Sequence, residues 1–324
     1  MAPSRPLTIA THPVHADTMA LLRRRCDVEV CERSPSPEVL AARAAGASAL
    51  LAFMPDRVDA RLLDACPELR IVAGAFKGAD NVDVEACTAR GVWVTVVPDL
   101  LSASTAELAV GLLIAVARRI REGDAAVRGG QFTGWRPGFH GIDLEGTAVG
   151  IVGMGSLGQA IARRLLGFGC RLAYADPGVP EANGLAARPL EDLLRESRVV
   201  VLAVPLTPTT HALINGERLA LMSPGAVLVN VGRGSTVDED AVAAALASGR
   251  LAGYAADVFA IEDRSRVQTP AAMPPALLSH PRSVFTPHLG SAVAEVRRAI
   301  ETRAAESILQ ALDGHRPLGA INAP

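Results

Sequence analysis

The stretch TAVGIVGMGSLG, residues 147–158, constrains the fold of this chain more than any other. A β-branched apolar run ends in Gly153-Met154-Gly155-Ser156-Leu157-Gly158, and QAIARRLLGFG follows at helical spacing. A strand that turns through three such glycines into a helix has a defined use for each. Gly153 permits the tight turn, Gly155 lets the backbone approach a pyrophosphate, and Gly158 lets the helix pack on the strand. The N–H groups around Ser156 and Leu157, at the positive end of the helix, then face the phosphates. The next apolar run, RLAYAD, ends on Asp176. A carboxylate there accepts hydrogen bonds from ribose hydroxyls and repels a 2′-phosphate. Pro177 and Gly178 follow with no adjacent Arg, so NAD is expected over NADP.

The rest of the chain repeats the strand–helix alternation, the pattern of βαβ units on parallel sheets. In the first third, strands are expected at 7–11, 27–31, 49–53, 70–75 and 93–97. One helix between them opens at Ser36-Pro37 and ends at Gly46. A long helix is expected from about 102 to 129, followed by a Gly- and aromatic-rich loop, GGQFTGWRPGFHGIDLEG. A second series follows, with strands at 148–152, 171–175, 199–204, 226–231, 252–257 and 284–286. A last long helix covers about 291–312. The expected fold is α/β: two doubly wound parallel-sheet domains, Rossmann-like and flavodoxin-like, with an interdomain cleft. The substrate-binding domain is discontinuous, 1–101 with 291–324, and 102–290 forms the NAD-binding domain.

Composition removes several alternatives. With 49% hydrophobic and 20% charged residues the chain is an ordinary globular protein. Aromatics are only 3%, so the core must come from Ala, Val and Leu. Thirty-two basic against 34 acidic side chains leave no field for nucleic acid or an anionic membrane. The most apolar windows, such as 108–117, are too short to span a bilayer, and the N-terminus carries no export signal. Five cysteines at 26, 31, 66, 87 and 170, with no CxxC, argue against a disulfide scaffold or zinc site and for the cytoplasm. Of the 32 basic residues only Lys77 is a lysine. A compact ammonium in so Arg-rich a chain marks a place where a planar guanidinium does not fit.

Three charged residues fall just after expected strands of the second series: Arg233 in LVNVGRGS, Glu262 in AADVFAIED and His288 in FTPHLGS. Open α/β sheets bind ligands at these strand ends. Such a set suits hydride transfer, with the Arg on an anionic substrate, the His moving a proton and the Glu orienting the His. With GMGSLG, VNVGRGS, AADVF and TPHLGS in this order and spacing, the chain resembles the D-isomer-specific 2-hydroxyacid dehydrogenase family over its whole length. Within that family it is most similar to phosphite-oxidising members. LLAFMPDRVDA, ACPELRIV, KGADNVDV, ACTARGVW, VPDLLSASTAEL, GWRPGFHG, GYAADVF and FTPHLGSAV carry this likeness.

The resemblance implies Arg233, Glu262 and His288 as catalytic residues. It implies Met54, Lys77, Gly78, Ser291 and Arg297 as substrate contacts with Arg233 and His288, and places Trp135 and His140 on a loop reaching the active site. Thr105, Val204, Pro205, Thr210, Val231, Gly232, Arg233, Asp257 and His288 match cofactor contacts. It also implies a homodimer, with the aromatic loop 131–141 suited to a subunit contact. Two departures stand out: His140 replaces a Tyr, and IEDRSRVQTP lacks the family's Glu and Trp. The expected reaction is NAD-dependent oxidation of phosphite to phosphate with water as nucleophile. Phosphite near neutral pH is largely a dianion and needs about two cations in a dry site, which Lys77, Arg233 and Arg297 supply. The alternatives are a glyoxylate or hydroxypyruvate reductase of the same family, or a dinucleotide-sensing corepressor of the same fold.

Overall fold

A computed structural model describes residues 5–97, 99–182, 184–264 and 269–324. The chain divides into two compact units. The first runs to Leu101 and takes up the chain again at Ala292–Pro324; the second runs from Ser102 to Asp263 and ends at Ser291.

The first unit is built on five parallel strands: β1 (Leu7–Ala10), β2 (Asp27–Val30), β3 (Ala49–Ala52), β4 (Ile71–Gly74) and β5 (Trp93–Thr95). Their order is β2-β1-β3-β4-β5, so the winding reverses at β1. β3 and β4 are buried throughout and read as continuous apolar runs, as strands covered on both faces do. Leu50 and Val72 face one core layer; Leu51, Ile71 and Ala73 face the other, with Ile300, Ala304 and Ile308 of the last helix. That helix is Ala294–Leu312, starting three residues later than the sequence suggests. Pro37 opens the helix Pro37–Ala44 and the Ser36 hydroxyl accepts from the Val39 N–H at 3.4 Å.

The second unit holds seven strands in one parallel sheet: β6 (Ala148–Val152), β7 (Arg171–Ala175), β8 (Ala186–Ala187), β9 (Val199–Leu202), β10 (Ala226–Asn230), β11 (Leu251–Ala256) and β12 (Ser283–Phe285). The order β12-β11-β10-β9-β6-β7-β8 reverses at β6. The two-residue β8 is too short to carry a sequence pattern. Alternation along the strands feeds both layers: Val149, Ile151, Val199 and Val201 pack on one face, Val152, Val200 and Leu202 on the other. Each fully buried Val, Leu or Ile contributes about 1.5–3 kcal/mol. The fully buried aromatic residues are Tyr174 and Tyr254, in a core otherwise rich in Ala, Val and Leu.

The single long helix expected over 102–129 is two helices, Ser102–Ala117 and Ile120–Arg128. The physical reason lies at Ala117. Its carbonyl accepts from the Ile142 N–H at 2.9 Å, and a Cβ on Gly141 would overlap the same oxygen. The chain therefore leaves the helical ladder, and Arg119 turns through a left-handed conformation with φ 56°. Its guanidinium is held by Glu122 at 2.5–2.8 Å and lies 5.3 Å from the Phe139 ring centroid. All five cysteines are free and buried. The departure IEDRSRVQTP falls partly, at 265–268, outside the described residues.

Candidate active site

The turn after β6 has the geometry that a pyrophosphate requires. Gly153 has φ 91°, and a Cβ on it would run into the Ala203 carbonyl and Val204 side chain at 2.8 Å. A Cβ on Gly158 would overlap the Gly153 carbonyl oxygen, so helix Ser156–Leu166 packs directly on the strand end. Gly155 differs: nothing lies within 4 Å of an added Cβ. It is the N-cap of that helix and supplies no side-chain cap, which leaves the first-turn N–H groups for an anion. Asp176, directly after β7, accepts from Met154 N–H at 2.7 Å and Gly178 N–H at 2.9 Å, locking the acid beside the glycine turn.

These residues fit a dinucleotide, and one orphaned atom supports the fit. Thr105 Oγ1 is buried without a hydrogen-bond partner, and Thr105 sits with Asp257 against Gly290. A buried hydroxyl left unsatisfied costs about 1–3 kcal/mol, which a bound polar group there would remove. Val204 stands between two close approaches, since a Cβ on Gly232 would meet its carbonyl at 2.5 Å. Val231, beside Gly232, is buried and donates to Leu202 at 3.2 Å. After Pro205, Thr210 uses its hydroxyl inside its own loop, donating to the Pro205 carbonyl at 2.7 Å and accepting from Thr207 N–H at 2.8 Å.

Arg233, Glu262 and His288 lie at the carboxyl ends of β10, β11 and β12. Arg233 has little backbone freedom. Gly232 abuts Val204, a Cβ on Gly234 would overlap the Phe259 backbone, and the Arg233 carbonyl accepts from Asn230 Nδ2 at 3.0 Å and Thr236 Oγ1 at 2.6 Å. His288 sits at φ 56°, a conformation a bulky residue adopts only when its surroundings impose it. Asp257 imposes it. Its carboxylate accepts from Thr286 Oγ1 at 2.6 Å, Leu289 N–H at 2.7 Å and Gly290 N–H at 2.9 Å, and its carbonyl from His288 N–H at 2.9 Å. Burial pushes the Asp257 carboxyl up, and those donors pull it back. His288 Nδ1 meets Glu262 Oε2 at 2.5 Å, while Glu262 Oε1 accepts from Phe259 N–H at 2.7 Å. A carboxylate on Nδ1 leaves Nε2 as the ring nitrogen for proton transfer and stabilises the charged ring.

The candidate residues of the first unit follow β3 and β4. Met54 is half-buried against the core layer of Leu50 and Val72. Lys77, followed by Gly78, lies on the loop after β4, its Nζ 3.9 Å from the exposed carboxylate of Asp99. Arg297 reaches the same loop from the last helix, with Nη1 3.5 Å from the Ala75 carbonyl and its guanidinium carbon 5.5 Å from the Phe53 ring centroid. One cation thus sits on this loop and a second touches its backbone.

Three further candidates lie on other loops of the second unit. Trp135 is 86% exposed and His140 is exposed on the same loop. Ser291 is half-buried three residues beyond His288. Several supporting residues were invisible in the sequence. Glu239 is buried, and its Oε1 accepts from Ala260 N–H at 2.9 Å, steadying the turn that carries Glu262; burial raises its carboxyl. Asp56 is buried between Thr11 Oγ1 and Phe53 N–H, the latter at 2.6 Å, while Asn81 Nδ2 donates to the Asp56 carbonyl at 2.7 Å. Sequence shows such acids only as helix caps or surface charges.

A sequence profile for the D-isomer specific 2-hydroxyacid dehydrogenase NAD binding domain matches residues 110–290, more than half of the chain. The chain belongs to the D-isomer specific 2-hydroxyacid dehydrogenase family. Its NAD-binding domain is that family's, and NAD is its cofactor class. Glyoxylate reductases of Thermococcus onnurineus and Thermococcus kodakarensis are 39% and 40% identical, covering 98% of this chain and 96% of theirs. Among solved structures, a protein from Thermus thermophilus matches with TM-score 0.90 at 39% identity, over 98% of this chain and 100% of that one. An NADPH-dependent glyoxylate/hydroxypyruvate reductase from Sinorhizobium meliloti, solved with NADP and malonate, matches with TM-score 0.87 at 31% identity, over 98% and 97%. These relatives establish the oxidoreductase family and the two parallel-sheet α/β units; none of them is named for phosphite. Among the described residues no helix is long and apolar enough to cross a membrane.

Proposed function

We propose that this dehydrogenase acts on a small, highly charged anion, and that the anion is phosphite. The observation that carries the reading is the pair of cations on and against the loop after β4. Lys77, the sole lysine of the chain, lies on the loop after β4, Arg297 reaches the Ala75 carbonyl of that same loop, and Arg233 adds a third cation in the second unit. A monocarboxylate needs one Arg and a few N–H groups, whereas a phosphite dianion in a dry site needs about two cations. The reading takes the first unit, with Met54, Lys77, Gly78 and Arg297, as substrate-binding, and the second as NAD-binding.

Bound NAD supplies the hydride acceptor. Lys77, Arg233 and Arg297 hold the phosphite oxygens and fix the P–H bond for transfer. His288 removes a proton from the attacking water at Nε2 while Glu262 holds Nδ1 and offsets the charge on the ring. Phosphite, water and NAD⁺ become phosphate, NADH and one proton. The chain is further proposed to work as a cytoplasmic homodimer, the exposed Phe132, Trp135 and Phe139 meeting a second copy.

A second reading has its own support, and the names of the relatives favour it over phosphite. Those names include glyoxylate reductases of high coverage and a glyoxylate/hydroxypyruvate reductase. In that reading Arg233 holds the substrate carboxylate and His288 protonates the carbonyl oxygen. NADH formation with NAD and phosphite, run beside NADH consumption with glyoxylate and with hydroxypyruvate, decides between them. Phosphite-dependent NADH supports the first reading. Its absence, with turnover of glyoxylate, replaces it by the second.

A further inference from the structure

The last helix carries an acid that is 4% exposed, Glu301, one turn after Arg297. A carboxylate so deeply buried must be paired, and its two oxygens have different partners. Oε2 takes both the main-chain N–H of His15, at 2.8 Å, and His15 Nδ1, at 2.7 Å. Oε1 faces Arg297 Nη2 at 4.0 Å, beyond a good hydrogen bond but within reach of its charge. The guanidinium keeps its place without a tight pair to Glu301, since it lies over the Phe53 ring and reaches the Ala75 carbonyl. Burial lowers the Arg297 guanidinium and Glu301 pulls it back up.

We infer that Glu301 is a positioning and charge-setting residue for anion binding: it partly neutralises Arg297, to an extent that His15 sets by competing for the same carboxylate. An acid this near would weaken the attraction of Arg297 for a substrate anion, and its division between His15 and Arg297 limits that loss. The arrangement holds a buried cation at intermediate strength, so that a dianion binds and a doubly charged product is still released. The inference rests on the proposed contact of Arg297 with the substrate anion.

Its test uses the whole enzyme saturated with NADH, titrated calorimetrically with phosphite and separately with oxalate, two dianions that undergo no turnover there. Glu301→Gln keeps the acceptor and removes the charge. It should tighten both anions about three- to tenfold, and the change in turnover should fall on KM rather than kcat. In an Arg297→Ala background the same substitution should change nothing, because the coupling acts through Arg297. His15→Ala, at a half-exposed side chain, leaves Glu301 more fully to Arg297 and should weaken both anions about two- to threefold. It remains available as the test if Glu301→Gln does not fold. A role confined to anchoring the N-terminus of helix Ala16–Leu22 would lower Tm without either affinity change. Unaltered or weakened anion binding in Glu301→Gln, or an equal gain with Arg297 absent, overturns the inference alone. Unchanged affinities in Arg297→Ala overturn the reading of Arg297, and the inference with it.

Discussion

The two units place their candidate site residues by different means. In the second unit backbone conformation does it, pinned at His288 by the buried Asp257 carboxylate. Arg233 is fixed between Gly232 and Gly234, where a Cβ does not fit, and His288 is held left-handed by donors converging on Asp257. In the first unit side chains do it. Asp56, Thr11 and Asn81 tie the loop of Phe53 and Met54 to that of Lys77, and Glu301 and Phe53 flank Arg297. Backbone-imposed geometry costs a glycine or a strained residue at a fixed spacing. Side-chain-imposed geometry costs buried charge, and so answers to pH and to single charge changes.

The largest effect should come from the backbone-held set. His288→Ala removes the proposed proton acceptor, which Glu262 contacts at Nδ1, and turnover should fall by a factor on the order of 10²–10⁴, with NAD binding intact. Single-turnover NADH formation checks it; near-normal rates would assign the base to another group. Lys77→Met probes the other unit. With phosphite as substrate it leaves a dianion under-neutralised, and kcat/KM should drop by about 10²-fold or more while the dissociation constant of NAD barely moves. Lys77→Arg should recover only part of the loss, because a planar guanidinium cannot occupy the point of an ammonium. A glyoxylate reductase would tolerate both changes.

Two smaller substitutions address the dinucleotide turn. Gly158→Ala puts a methyl group onto the Gly153 carbonyl, so the helix must back away from β6. Overpacking of this kind costs about 1–3 kcal/mol. Thermal unfolding should show it as a loss of about 2–4 °C per kcal/mol, with weaker NAD binding. Asp176→Ala removes the charge opposed to a 2′-phosphate, and the preference for NAD over NADP should narrow by about tenfold. Equal kcat/KM for both cofactors in the unaltered enzyme would refute that role for Asp176.

What was legible in the sequence follows the same division. Gly153 and Gly158 were readable because close packing allows no side chain there, and Gly155, the acid after β7 and the three charged strand ends because they fall at fixed places after apolar strand runs. Eleven of the expected strands coincide with β1–β7 and β9–β12 to within a residue or two. The break at Arg119 was not readable, since it depends on Gly141 and Ile142 taking over the Ala117 carbonyl from far along the chain. Nor were Asp56, Glu239 and Glu301, each of which looks like a surface acid until the fold buries it. Lys77 stood out only because the chain contains no other lysine.

The smallest expected effect tests whether side-chain charge is what holds the first unit's loops. Burial raises the Asp56 carboxyl above its ordinary 3.8, against the pull of the Phe53 N–H and the Thr11 hydroxyl. The folded chain thus holds the proton more tightly than the unfolded one. The stability this group contributes is complete below the unfolded value and is lost as pH rises through the raised folded value. Asp56→Asn keeps a carbonyl acceptor for Phe53 N–H and Thr11 but does not titrate. Glu239 and Asp257, also raised by burial, titrate in both proteins and cancel in the difference. The variant's Tm should therefore gain on that of the wild type as pH rises above the ordinary carboxylate value and through the raised folded one. Parallel Tm–pH curves would mean that the Asp56 clamp works by shape alone, and that the two units hold their site residues in the same way after all.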